Sequence, residues 1–110
     1  MTGKPVVPRK AAISDVDEII GYYLETSPNA ITVGFVDTLE SAYAQIGLNP
    51  AIGSPRYAYE LELPGLRSCL LKGYPYLIFY LECDDHIDVW RILHGSRDIS
   101  RWMQEPDGSE

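Results

Sequence analysis

Hydrophobic periodicity changes once along this chain, at Asn49-Pro50-Ala51-Ile52-Gly53-Ser54-Pro55, and that change constrains the fold more than any other feature. Before it, apolar residues recur at helical spacing; after it they come in short β-prone runs. Val16, Ile19, Ile20, Tyr23 and Leu24 fall at i, i+3, i+4, i+7 and i+8 and make one apolar face. Asp15, Asp17, Glu18 and Glu25 lie mostly outside that face and cluster in the early turns, where the helix dipole favours acids. Ser27-Pro28 ends this helix and Asn29 can cap the next. The second helix carries Phe35, Val36, Leu39, Ala42, Tyr43 and Ile46 on one stripe and closes at Gly47. A link this short makes the pair an antiparallel hairpin.

Beyond the turn-rich connection, residues 66–71, 76–83 and 87–93 are rich in Ile, Val, Leu and aromatics, and read as three strands. The breaks at Gly73-Tyr74-Pro75 and Asp84-Asp85-His86 are short, which favours antiparallel neighbours in a meander. Residues 57–63 alternate Tyr-Ala-Tyr-Glu-Leu-Glu-Leu and read either as a further edge strand or as loop. Residues 6–9 are weakly strand-like, and Pro5 and Pro8 restrict such a strand to a sheet edge. Asp98 can cap a short final helix holding Ile99, Trp102 and Met103. The expectation is a single α+β domain over residues 1–110, its core spanning about residues 6–103. It has a weak N-terminal edge strand, a helical hairpin on one face of a three- to four-stranded antiparallel sheet, and a short C-terminal helix.

A chain of 110 residues with 45% apolar content has material for one modest core. The start, Met1-Thr2-Gly3-Lys4-Pro5, leads into no long apolar run, so no secretory signal is expected. The longest apolar stretch, residues 76–81, is far below the ~20 residues of a membrane helix. A soluble cytoplasmic chain is expected. Cys69 and Cys83 lack C-x-x-C spacing, and His86 and His94 are the only histidines, so no metal or other cofactor is expected; the cysteines read as two reduced core residues, with a disulfide as the alternative. The net charge of −7 sets a field that repels nucleic acid. A local cationic patch stays open, because Arg91, Arg97 and Arg101 fall within eleven residues and meet only Asp88 and Asp98.

That patch lies in Arg91-Ile92-Leu93-His94-Gly95-Ser96-Arg97-Asp98, where the last β-prone run stops at a histidine between two arginines. Nothing else in the chain sets a titratable group so close to two guanidinium groups. Strict alternation puts Arg91 and His94 on opposite faces, so they share a site only if the strand ends or bulges near Leu93. The same alternation puts Trp90 on the face of Ile92, in the core. Trp102 either packs on the sheet or belongs to a docking surface. An architectural reading of the segment has Asp98 capping the tail helix and Arg97 paired with a hairpin acid. In it His94 bonds a backbone carbonyl, and Arg67 and Arg91 are surface cations bracketed by acids. Tyr74, Tyr76 and Tyr80 near one hairpin read as sheet packing rather than as a platform for bases.

Several pieces, in order, carry a resemblance. They are Ala12-Ile13-Ser14-Asp15-Val16-Asp17-Glu18-Ile19 with Tyr22-Tyr23; Ala30 to Phe35 with Leu39-Glu40 and Ala42; and Asn49-Pro50-Ala51-Ile52-Gly53. Gly65-Leu66-Arg67-Ser68, Tyr76-Leu77-Ile78-Phe79-Tyr80 and Arg91-Ile92-Leu93-His94-Gly95 with Arg97-Asp98 follow. Together, from about Ala11 to Met103, they resemble the ParE branch of the RelE/ParE superfamily of toxin-antitoxin toxins. The resemblance implies a type II toxin neutralised by a cognate ParD-like antitoxin in a hetero-oligomer. It would inhibit growth by binding DNA gyrase, with no catalytic residue and with Arg91, His94, Arg97 and Trp102 meeting the target. The alternative it leaves open is a metal-independent endoribonuclease cutting mRNA on the ribosome, for which Arg67, Arg91 and His94 match the positions of the catalytic groups. A third reading is a degenerate member that keeps antitoxin binding and little toxicity.

Overall fold

The computed structural model describes residues 3–96 together with Ile99 and Met103. The chain begins with strand β1 (Val6–Pro8) and continues through helices α1 (Lys10–Thr26) and α2 (Asn29–Leu48). A single 3-10 turn (Pro50–Ile52) and a short helix α3 (Arg56–Glu60) then lead to strands β2 (Leu66–Leu70), β3 (Tyr76–Glu82) and β4 (Ile87–His94).

Both long helices follow the apolar spacing. Ala12 and Ile19 of α1 and Phe35, Leu39 and Ile46 of α2 are buried against Ile78 and Tyr80 of β3 and Ile87, Val89 and Ile92 of β4. Pro28 ends α1 for a local reason: the residue before proline is pushed out of the helical region, and Ser27 is extended at φ −139°, ψ 160°. The expected cap at Asn29 does not form. Pro28 holds the N-cap position, no side chain caps α2, and Asn29 is already the first helical residue. Nor do the acids of α1 sit in its first turn, because the helix starts at Lys10. The other end of α2 runs one residue past Gly47. Gly47 is needed for close approach rather than termination: its carbonyl accepts the Lys4 N–H at 3.0 Å, and an added Cβ would stand 2.6 Å from the Lys4 carbonyl oxygen.

The sheet order is β1-β4-β3-β2. β2, β3 and β4 form the expected antiparallel meander, but β1 pairs with β4 in parallel, Val6 opposite Ile87 and Pro8 opposite Val89. The sheet is therefore mixed. The two helices lift the chain off the sheet between β1 and the meander, which frees β1 from the antiparallel direction that a tight turn imposes. Pro8 is at an edge, as its missing N–H requires.

Residues 57–63 are neither edge strand nor free loop. Arg56–Glu60 is helical, with Tyr57, Ala58 and Leu61 packed on the sheet face opposite the hairpin. The Tyr57 ring meets Phe79 edge-on at 5.3 Å. Alternation misleads here because a one-turn helix can bury Tyr57, Ala58 and Leu61 by its i, i+1, i+4 spacing. Glu62 at φ 53° and Gly65 at φ 86° then turn the chain into β2. On this second face Leu66, Phe79 and Leu93 bury Ile99 and Met103, two helical residues four apart, which together with α3 cover the sheet.

Candidate functional site

One irregularity shapes the segment singled out in the sequence. Phe79 pairs with Arg91 but Tyr80 pairs with Val89, so Trp90 is an extra residue in β4, a β-bulge. The bulge resets the alternation. Val89 and Ile92, three apart, both face the helices, while Trp90 turns to the opposite cluster with Phe79 and Leu93. Trp90 therefore does not share a face with Ile92. It is half-buried, its indole N–H donates to Asp88 at 3.1 Å, and the Arg9 guanidinium lies over its ring at 4.4 Å.

β1 reaches only to Val89 along β4, which leaves the rest of that edge without a strand partner. Asp15 of α1 fills the gap. Its Oδ2 accepts the backbone N–H of Ile92 at 3.0 Å and the Nε of Arg91 at 2.8 Å, while Oδ1 accepts Nη2 of Arg91 at 2.8 Å. The carboxylate replaces a strand carbonyl for one N–H and grips the guanidinium with both oxygens. Arg91 and Asp15 side chains are only 13% and 11% exposed. Burial and, second, the Asp15 charge push the Tyr43 phenol up to about 12. Arg91 is thus bonded to a helix carboxylate from the far end of the sequence, not to a neighbouring surface acid.

His94 ends β4 with its ring edge-on to Tyr76 at 5.4 Å. Its Nδ1 accepts from the Ser96 backbone N–H at 3.1 Å and lies 2.7 Å from the Ser96 hydroxyl. An amide can only donate, so Nδ1 is the acceptor in this pair and Nε2 is left as the ring's donor. The expected bond from His94 to a backbone carbonyl is replaced by one in the other direction, from the Ser96 amide.

Arg67, on β2, faces the loop after α2. Its Nη1 donates to the carbonyls of Gly53 at 2.7 Å and Ala51 at 3.4 Å. Tyr80 secures the same loop, donating to the Pro50 carbonyl at 2.7 Å and accepting the Gly53 N–H at 2.8 Å. Burial raises the Tyr80 phenol and the Gly53 bond partly opposes it. Only glycine fits at 53, where a Cβ would stand 2.5 Å from the Tyr80 oxygen. These bonds make Arg67 a clamp on a loop rather than a free surface cation.

The three alternative catalytic residues therefore bond to three separate places. Arg67 shares a rung with Tyr80 and Val89, whereas His94 shares one with Tyr76. At strand spacing those rungs lie about 13 Å apart along the sheet, with two strand gaps, about 10 Å, across it. Arg97, Asp98 and Trp102 lie outside the described residues. Tyr76 and Tyr80 are core residues, and Tyr74 joins Tyr23 and Phe35 in ring contacts at 6.0 and 5.6 Å. Cys69 and Cys83 are free thiols, both half-buried, and burial raises the Cys69 thiol. Among the described residues no three His, Cys, Asp or Glu side chains gather as a metal site would need, and no helix is long and apolar enough to cross a membrane.

Residues 6–99 match the family model described as ParE toxin of type II toxin-antitoxin system, parDE. The chain belongs to the ParE toxin family. The match spans β1 to the first buried residue of the tail, so it includes the bulge, Asp15 and Arg91. A solved structure described as a chromosomal ParDE toxin-antitoxin system from P. aeruginosa has the same fold, with a TM-score of 0.68 at 19% identity. It covers 83% of this ParE-family chain and 95% of its own. No curated protein matched.

Asp15 is the site residue that the sequence reading missed. One signal was available: Asp15 stands three residues after Ala12 and four before Ile19, so it borders the buried stripe instead of opposing it.

Proposed function

We propose that this ParE-family chain inhibits growth by binding DNA gyrase in the cytoplasm, and that a cognate ParD-like antitoxin neutralises it in a hetero-oligomer. One observation favours this over mRNA cleavage: the bidentate capture of Arg91 by Asp15. A nuclease needs its cations directed at the phosphate, and a guanidinium already neutralised by a carboxylate stabilises a second anion weakly. The spacing of Arg67 and His94 along the sheet supports the same reading. On it, Arg91, His94, Arg97 and Trp102 belong to the segment that meets the target. Arg91 acts by anchoring that segment to α1, and the others supply contact. Expression of the chain without its antitoxin is expected to give filamentation and a DNA-damage response. His94→Gln should keep that effect in a folded protein, because glutamine retains a hydrogen-bonding group but no neutral-range proton exchange. Prompt arrest of translation, lost with His94→Gln, would establish the ribonuclease instead.

A further inference from the structure

We infer that Val7, Arg9 and Trp90 form a contact surface for the target protein, on the sheet face turned away from the helices. Val6 packs with the helix-side core, so alternation sends Val7 to the other face, and its rung partner Asp88, next to buried Val89, lies there too. The bulge adds Trp90 to them. A bulge re-aims one side chain and breaks a ladder pair to do so. Here the re-aimed residue is a tryptophan left half-buried, so the fold gains only part of the burial that so large a ring offers.

The surface is held in place before anything binds. Asp88 accepts Nε of Arg9 at 3.1 Å and Nη2 at 2.9 Å, and its Oδ2 also takes the Trp90 indole N–H at 3.1 Å. One carboxylate thus fixes the guanidinium over the ring, 4.4 Å from its centroid. The Arg9 side chain keeps 39% of its surface and Val7 keeps 50%. Tryptophan and arginine are among the residues most enriched in binding hot spots, and fixing them beforehand lowers the ordering cost of association. The charges then choose the occupant. Nucleic acid or an anionic lipid surface meets a guanidinium already neutralised by Asp88 and a net charge of −7 that repels it. A second copy brings the same −7. A protein that lays an apolar side chain against Val7 and Trp90 meets neither obstacle. Trp90 directly precedes Arg91, so the surface continues along β4 the segment already given to the target.

The inference rests on the reading of the chain as a gyrase-binding toxin. The test measures binding of the purified chain and its variants to purified DNA gyrase. Trp90→Ala is expected to weaken binding by roughly 30-fold and Arg9→Ala by about fivefold, the losses of a hot-spot residue and its neighbour. Val7→Lys supplies a variant that leaves the core untouched. Lysine suits an edge strand, yet its charge loses water in the contact, so binding should fall by about tenfold. Tyr59→Ala removes a ring 87% exposed on α3, which lies against β2 at the opposite edge of the sheet. That control should bind within about twofold of the unaltered chain. Thermal unfolding of each variant confirms that the fold is intact. Equal binding by Val7→Lys and the unaltered chain overturns the contact surface while leaving the target reading standing. No binding even by the unaltered chain overturns the target reading and the contact surface with it.

Discussion

Replacing Asp15 with alanine removes the acceptor of three bonds at once. Arg91 then keeps a charged head with 13% of its side chain exposed, and the Ile92 N–H loses its partner at an edge that β1 does not reach. An exposed ion pair contributes about 0–1 kcal/mol, whereas breaking a fully buried one costs about 3–5 kcal/mol. An unsatisfied buried amide adds about 1–3 kcal/mol. With about one-eighth of each partner still exposed, the expected loss for Asp15→Ala is about 2–4 kcal/mol, between those limits. For a chain of this size that corresponds to a fall in Tm of roughly 8–16 °C. Urea unfolding with an unchanged m value measures it directly. Glu82→Ala, which breaks the more open pair with Lys4, is the internal control and should cost under about 1 kcal/mol. The double variant Asp15→Leu with Arg91→Met should be more stable than Asp15→Ala, because the buried ion pair is then replaced whole and not broken by removal of one partner. The reasoning is refuted if Asp15→Ala costs no more than Glu82→Ala and a double-mutant cycle finds no coupling between Asp15 and Arg91.

Tyr80→Phe deletes the donor to Pro50 and strands the Gly53 N–H, so thermal unfolding should show a loss of about 1–3 kcal/mol, with loop 49–54 exchanging its amide hydrogens faster. Tyr43 holds its proton more tightly in the folded chain, about 12 against 10.0, so stability is full below pH 10 and falls as pH rises towards 12. Tyr43→Phe should flatten part of that alkaline slope in chemical denaturation, and the rest should persist because Tyr23 and Tyr80 are shifted in the same direction.

The helical hairpin and the meander were legible because each is set by local periodicity. Val16, Ile19 and Tyr23 state one helix face, and the runs around Ile78 and Ile92 state two strands, whatever surrounds them. What escaped depends on partners far apart in sequence. Whether β1 runs parallel or antiparallel depends on the length of the hairpin that intervenes, not on Val6 or Val7. The bulge at Trp90 leaves no mark in an unbroken β-prone run, yet it decides which of Trp90, Arg91 and Ile92 meets the helices. With the bulge unseen, Arg91 and His94 could be identified as candidates but not assigned their neighbours. Asp15 read as one of several helix acids because its distinguishing bond reaches across 76 residues of sequence.

The central claim, that this ParE-family chain acts by binding a target rather than by cutting RNA, is tested most directly with purified components. The chain, freed of its antitoxin, is added to DNA gyrase supercoiling a plasmid, and in parallel to ribosomes translating a defined mRNA. The account predicts loss of supercoiling, restored by antitoxin, with the mRNA left intact. Cleavage of the mRNA on the ribosome while gyrase works undisturbed would contradict it.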